Sequence, residues 1–137
     1  MIYVYTDGSF REGAGAHCVV AVTRRTLVGY KLDRYEAKSS TQCELLALID
    51  GLELINKQYN TPQVIKFYCD CESVVRILTR VLNEGKCSKR LKEYELFNKF
   101  LEMSRGHQVR ISYTEGHRVD RNLNLICDMS ARTLVRL

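Results

Sequence analysis

Ile2-Tyr3-Val4-Tyr5-Thr6-Asp7-Gly8-Ser9 opens the chain, and its reading decides the fold. Residues 2–6 are β-branched, aromatic or both in alternation, the composition of a strand. Asp7-Gly8-Ser9 has the composition of a turn, so the strand is expected to end there with a carboxylate at its carboxyl edge. A second run of the same build, Val64-Ile65-Lys66-Phe67-Tyr68-Cys69, is also followed by an aspartate, Asp70. If the two strands lie side by side and parallel, both carboxylates stand where ligand sites form in open sheets, beyond the carboxyl ends and near the point where the connections diverge.

The chain between those strands supports a parallel pairing. Gly13-Ala14-Gly15-Ala16 begins a second strand that continues through Cys18-Val19-Val20-Ala21-Val22, Arg24-Arg25 turns the chain, and Thr26 to Leu32 reads as a third. Three strands with short connections form an antiparallel meander. A helix follows, with Ser39, Ser40 and Thr41 as N-cap hydroxyls and Glu44 expected in the first turn, where the helix dipole favours an acid. Leu45, Leu48, Ile49, Leu52 and Ile55 keep the spacing of a buried stripe, and Tyr59-Asn60-Thr61-Pro62 ends the helix. A strand reached through a helix runs parallel to its predecessor, which predicts that Val64–Cys69 lies parallel to the first strand.

Further on, Val74-Val75 and Ile77-Leu78 predict a helix to about Leu82, broken by Asn83-Glu84-Gly85. Leu91, Tyr94, Leu96-Phe97 and Leu101 predict another to about Arg105, Val109 to Tyr113 a fifth strand, and Leu123 to Leu137 a final helix. The whole is an α/β fold: a five-stranded mixed sheet, an antiparallel meander of three strands followed by two parallel strands, flanked by helices. At 137 residues the chain fits a single domain, 1–137, large enough to bury one core.

Four carboxylates stand at element ends or on helices: Asp7, Glu44, Asp70 and Asp128. Taken singly, each has a plainer reading, since an aspartate after a strand forms turns, Glu44 complements a helix dipole and Asp128 fits an exposed polar position. Gathered into one pocket, carboxylates repel one another and persist with divalent cations or protons between them. That combination points to a two-metal phosphodiesterase. His117, in Thr114-Glu115-Gly116-His117-Arg118, adds a group able to move protons near neutral pH.

Charge agrees with a polyanionic partner. The net charge is +5, and Arg76 to Arg110 carries nine basic residues against four acidic ones, although such a segment also fits a solvated helical face. The six cysteines read as reduced core residues, because the chain begins with no secretory signal and needs no covalent support at this length. Cys69 and Cys71 flank Asp70, and strand alternation would put both thiols on one side and the aspartate on the other. No stretch approaches the roughly 20 apolar residues of a membrane span, so the chain is expected to stay in the compartment where it is made, cytoplasm or nucleoid.

Tyr5-Thr6-Asp7-Gly8-Ser9, Thr41-Gln42-Cys43-Glu44-Leu45-Leu46-Ala47-Leu48, Phe67-Tyr68-Cys69-Asp70, Gly116-His117 and Cys127-Asp128-Met129-Ser130-Ala131-Arg132 resemble, in order and spacing over the whole chain, the type 1 branch of the ribonuclease H family. The resemblance implies a ribonuclease H-like fold and an endonuclease that cuts the RNA strand of RNA–DNA hybrids, leaving 5′-phosphate and 3′-hydroxyl ends. It implies two Mg²⁺ ions, with Mn²⁺ as a substitute, held by Asp7, Glu44, Asp70 and Asp128. Asp7 would bridge the ions, Glu44 and Asp70 would serve the leaving-group side and Asp128 the water side, with His117 assisting proton transfer or product release.

By the same resemblance Gly8, Ser9, Ser40, Thr41, Gln42, Lys86, Lys89 and Arg90 would contact the hybrid. Ser40, Thr41 and Gln42 stand where the family often carries asparagines, and the chain has no tryptophan, which some members place in a basic protrusion. A monomer suffices for this activity, and association with a polymerase or reverse transcriptase is left open. Two other readings keep the fold: a nucleic-acid-binding module without catalysis, and a DNA nuclease of the junction-resolvase kind. Retention of all four carboxylates favours the enzyme over the module, and His117 with Thr6-Asp7-Gly8-Ser9 favours it over the resolvase.

Overall fold

Eight elements follow one another along residues 1–114, the part of the chain that this computed structural model describes. They are β1 (Ile2–Arg11), β2 (Ala14–Val22), β3 (Leu27–Glu36), α1 (Ser40–Gln58), β4 (Val64–Cys69), α2 (Glu72–Glu84), α3 (Tyr94–Ser104) and β5 (Gln108–Tyr113). The sheet order is β3-β2-β1-β4-β5, with β1–β2 and β2–β3 antiparallel and β1–β4 and β4–β5 parallel. The expected mixed sheet is thus observed. The final helix predicted over Leu123 to Leu137, together with His117 and Asp128, lies outside the described residues.

Several boundaries differ from the sequence expectation for identifiable reasons. Asp7-Gly8-Ser9 does not end β1, which stays paired with β2 as far as Arg11↔Ala14. What ends near Asp7 is the other pairing, because β1 and β4 part after Tyr5↔Tyr68. The turn comes later, at Glu12 and Gly13, whose φ values of 51° and 82° suit a two-residue hairpin and place Gly13 outside β2. β3 runs on from Leu32 to Glu36, paired through Ala14↔Glu36. It is an edge strand, and its polar second half hides the apolar alternation by which strands are recognised.

In α1 the Ser39 side chain caps the helix by accepting from the Gln42 N–H at 3.2 Å, while Gln42 Oε1 accepts from the Lys38 N–H at 2.8 Å. This reciprocal arrangement satisfies two donors at the helix start. Glu44 falls beyond the first turn, which contains no acidic residue. Leu45, Leu48, Ile49, Leu52 and Ile55 are all buried, as their spacing predicts, against Ile2, Val4, Val19, Ile65 and Phe67. α3 begins only at Tyr94, because Glu93 adopts a left-handed conformation (φ 65°) that separates it from the turn holding Leu91. Phe97 and Phe100 complete the core, with Phe100 edge-on to Phe67 at 5.3 Å. Among the described residues no helix is long and apolar enough to cross a membrane.

Candidate active site

The parting of β1 and β4 creates the site. Tyr5 and Tyr68 are the last paired residues, with their rings stacked at 5.0 Å, and Thr6 Oγ1 donates to the Tyr68 carbonyl at 3.3 Å. Asp7 and Asp70 each lie two residues past that rung. From there β1 continues beside β2 while β4 turns into α2, so the two aspartates flank the switch point of the sheet. Asp7 is buried and Asp70 is half-buried.

α1 brings the third carboxylate. A Cβ on Gly8 would lie 2.8 Å from both the Cys43 carbonyl carbon and the Glu44 nitrogen, so only glycine lets the helix settle directly on β1 here. Gly8 is therefore a packing requirement within a strand, whereas its neighbours in sequence suggested a turn. Glu44, 6% exposed, has a carboxylate oxygen within 4.8 Å of ligand atoms from Cys69 and Asp70. The Cys69 thiol donates to Glu44 Oε2 at 3.7 Å, and burial, followed by the charge of Glu44, pushes that thiol's pKa well up.

The alternation expected around Asp70 does not hold. β4 stops at Cys69, so the backbone leaves the pleat and Asp70 reaches the same Glu44 as Cys69 does. Cys71 instead stands at the N-cap of α2, its Sγ 3.5 Å from Ser73 Oγ.

Carboxylate oxygens are hard donors of the kind Mg²⁺ and Mn²⁺ prefer, and their crowding at one sheet edge favours a cation between them. The carboxylates of Glu44 and Asp70 form such a donor pair, with Asp7 at the matching place on β1. Of the other residues singled out in the sequence, Gly8 and Ser9 lie on β1 beside the site, and Ser40 and Thr41 are in the first turn of α1. Gln42 is committed to the cap through its backbone N–H and its Oε1. Lys86, Lys89 and Arg90 are exposed between α2 and α3. Part of the basic segment is neutralised by pairs, Arg80 with Glu84, Lys99 with Glu53 and Arg105 with Glu102.

Sequence reasoning missed one cluster entirely. His17 on β2, 2% exposed, places Nε2 2.5 Å from Asp50 Oδ2 and Nδ1 2.8 Å from Tyr35 Oη. Lys31 Nζ lies 3.3 Å from the same Asp50 oxygen. Burial alone would raise the Asp50 carboxyl, but the His17 hydrogen bond and the Lys31 charge hold it below the usual carboxylate range. Burial raises the Tyr35 phenol far above its ordinary value, so it remains a donor. Asp33 brings a further carboxylate within 4.8 Å of His17 and Asp50, yet both ring nitrogens are already engaged and Lys31 supplies the cation. The available signal was a histidine and an aspartate at positions that otherwise read as core.

Comparison with known proteins agrees with this architecture. The family model described as RNase H matches residues 1–136. A ribonuclease H of Caldicellulosiruptor saccharolyticus is 26% identical over 148 residues, covering 98% of this chain and 96% of that protein. One of Trichodesmium erythraeum is 30% identical over 129 residues, covering 85% of this chain and 77% of the relative. The solved structure of LC11-RNase H1 in complex with an RNA/DNA hybrid superposes with a TM-score of 0.76 at 18% identity, covering 99% of this chain and 97% of the other.

Proposed function

This chain belongs to the ribonuclease H family, and from that premise we propose that it is an endonuclease that hydrolyses the RNA strand of RNA–DNA hybrids, leaving 5′-phosphate and 3′-hydroxyl ends. The observation that carries the reading is the convergence of Glu44 with Asp70 at the point where β1 and β4 part, two residues beyond the last rung, with buried Asp7 at the matching place on β1. In this reading Asp7, Glu44, Asp70 and Asp128 hold two divalent cations, Mg²⁺ or Mn²⁺. Such ions supply an activated water and stabilise the attacking and departing oxygens of an in-line displacement.

The chain's own residues do the rest. Burial of Asp7 and Glu44 keeps their carboxylates ordered and strengthens their hold on cationic partners. Gly8 sets β1 against the start of α1, and Ser9, half-buried on the continuation of β1, offers a hydroxyl to the hybrid backbone. Ser40 and Thr41 offer hydroxyls from the α1 N-terminus, and the Gln42 amide nitrogen is the donor its cap role leaves for the hybrid. Lys86, Lys89 and Arg90 present exposed charge to phosphates. His117 moves a proton on the water side.

The test is cleavage of a strand-labelled hybrid in Mg²⁺ beside duplex DNA, duplex RNA and the Asp70→Asn variant. The expected result is cutting of the RNA strand of the hybrid alone, lost in the variant. A hybrid that is bound but uncut in both Mg²⁺ and Mn²⁺ would overturn the reading in favour of a binding module.

A further inference from the structure

Under the first half of α1 runs a line of side-chain hydrogen bonds that the proposed chemistry does not use. Tyr35 Oη bonds to His17 Nδ1 at 2.8 Å, His17 Nε2 to Asp50 Oδ2 at 2.5 Å, Lys31 Nζ reaches the same carboxylate at 3.3 Å, and Cys43 Sγ sits with the Tyr35 ring over Gly15 at the other end. The line ties three elements together: β2 through His17, β3 through Lys31 and Tyr35, and α1 through Asp50, with Cys43 packed at its end. Asp50 accepts at its end of the line, from Nε2 of His17 and from Lys31.

Stability alone does not call for such a line. Well-packed apolar side chains in place of a buried ion pair are often neutral or stabilising, and the neighbouring positions of α1, Leu45, Leu48 and Leu52, are apolar. What directional bonds add is a fixed relative geometry of the elements they join. The geometry in question lies at one end of the line. Cys43 immediately precedes Glu44, and the backbone between them is where Gly8 meets α1. Gly15 permits the same closeness on β2, since a Cβ there would lie 2.7 Å from Cys43 Sγ and 2.9 Å from the Tyr35 ring.

We infer that Tyr35, His17 and Asp50 are positioning residues that fix the seat of α1 on β2 and β3, and through it the placement of the Glu44 carboxylate in the cation site. The inference rests on the reading of Glu44 as a cation ligand. Tyr35→Phe is the sharpest probe, because it removes Oη while keeping the ring that packs on His17 at 5.4 Å. Asp50→Asn keeps the shape of the other end and removes its charge.

The experiment measures Mn²⁺ affinity by calorimetry without nucleic acid, with thermal denaturation alongside, for the parent, Tyr35→Phe, Asp50→Asn, their double variant and Val81→Ala, a buried truncation on α2 away from the network. The two network variants are expected to bind Mn²⁺ roughly threefold or more weakly, with a non-additive double, as for residues sharing one hydrogen-bond network. Val81→Ala is expected to lose thermal stability and keep its Mn²⁺ affinity. Network variants that melt earlier but bind Mn²⁺ like the parent would overturn the inference and leave the proposed reaction untouched. A parent that binds no Mn²⁺ would overturn the reading of the cation site itself.

Discussion

Glu44 and Asp50 sit six residues apart on the same face-forming helix, are exposed to 6% and 8%, and face opposite electrostatic surroundings. Asp50 is met by His17 and Lys31, so the protein supplies its own counter-charge. Glu44 is met by the carboxylate of Asp70 and the thiol of Cys69. Two equally buried acids on one helix thus differ in what they ask of their environment. One meets a base and a cation and joins β2 and β3 to α1, while the other lies beside a further carboxylate at a sheet edge, the place where the proposed reading puts the cations.

The comparison can be broken most forcefully at Asp50. Asp50→Ala leaves the buried His17 Nε2 without its partner and frees Lys31, whose side chain is 44% exposed, and an unsatisfied buried polar group of this kind costs about 1–3 kcal/mol. Urea denaturation of the variant checks this, and a loss within experimental error of zero would show that the network carries no stability. At Glu44 the sign is expected to reverse. Glu44→Gln should leave stability in chelator equal or raised, since it relieves repulsion with Asp70, while hybrid cleavage falls at least about a hundredfold, the scale on which a charge-stabilising group at an active site acts. A melting curve in chelator paired with a cleavage assay separates the two effects, and a destabilised Glu44→Gln would erase the contrast.

The smallest effect is on pH dependence. The Asp50 carboxyl is held low in the folded protein, so its contribution to stability is complete above its unfolded value near pH 4 and is lost as pH falls through the lower folded value. Asp50→Asn should therefore show a flatter loss of stability in acid than the parent. Equal slopes below pH 4 would mean that Asp50 gains nothing from His17 and Lys31.

Much of the frame was legible because it rests on local chemistry. Val64–Cys69 is a strand with the bounds its composition predicts, the α1 stripe is buried residue for residue, and the parallel pairing of β1 with β4 follows from the helix between them. Asp7 and Asp70 could be brought to one place by topology alone. The errors came where one residue type serves two ends. Asp7-Gly8-Ser9 has turn composition, but Gly8 is there so that Cys43 and Glu44 can approach β1. Cys69 and Asp70 were assigned opposite sides on the assumption that the pleat continues, and it does not.

From the sequence alone come the elements, their order, the apolar stripe that α1 must bury and the acids placed at strand ends, because periodicity and turn chemistry act over a few residues. Only the tertiary structure decided which buried acid meets a base and which meets another acid. His17, Lys31, Tyr35 and Asp50 come from three elements, and Glu44, Cys69 and Asp70 from α1 and the end of β4. Interactions between charges depend on distance and burial across the fold, quantities that spacing along a chain does not contain.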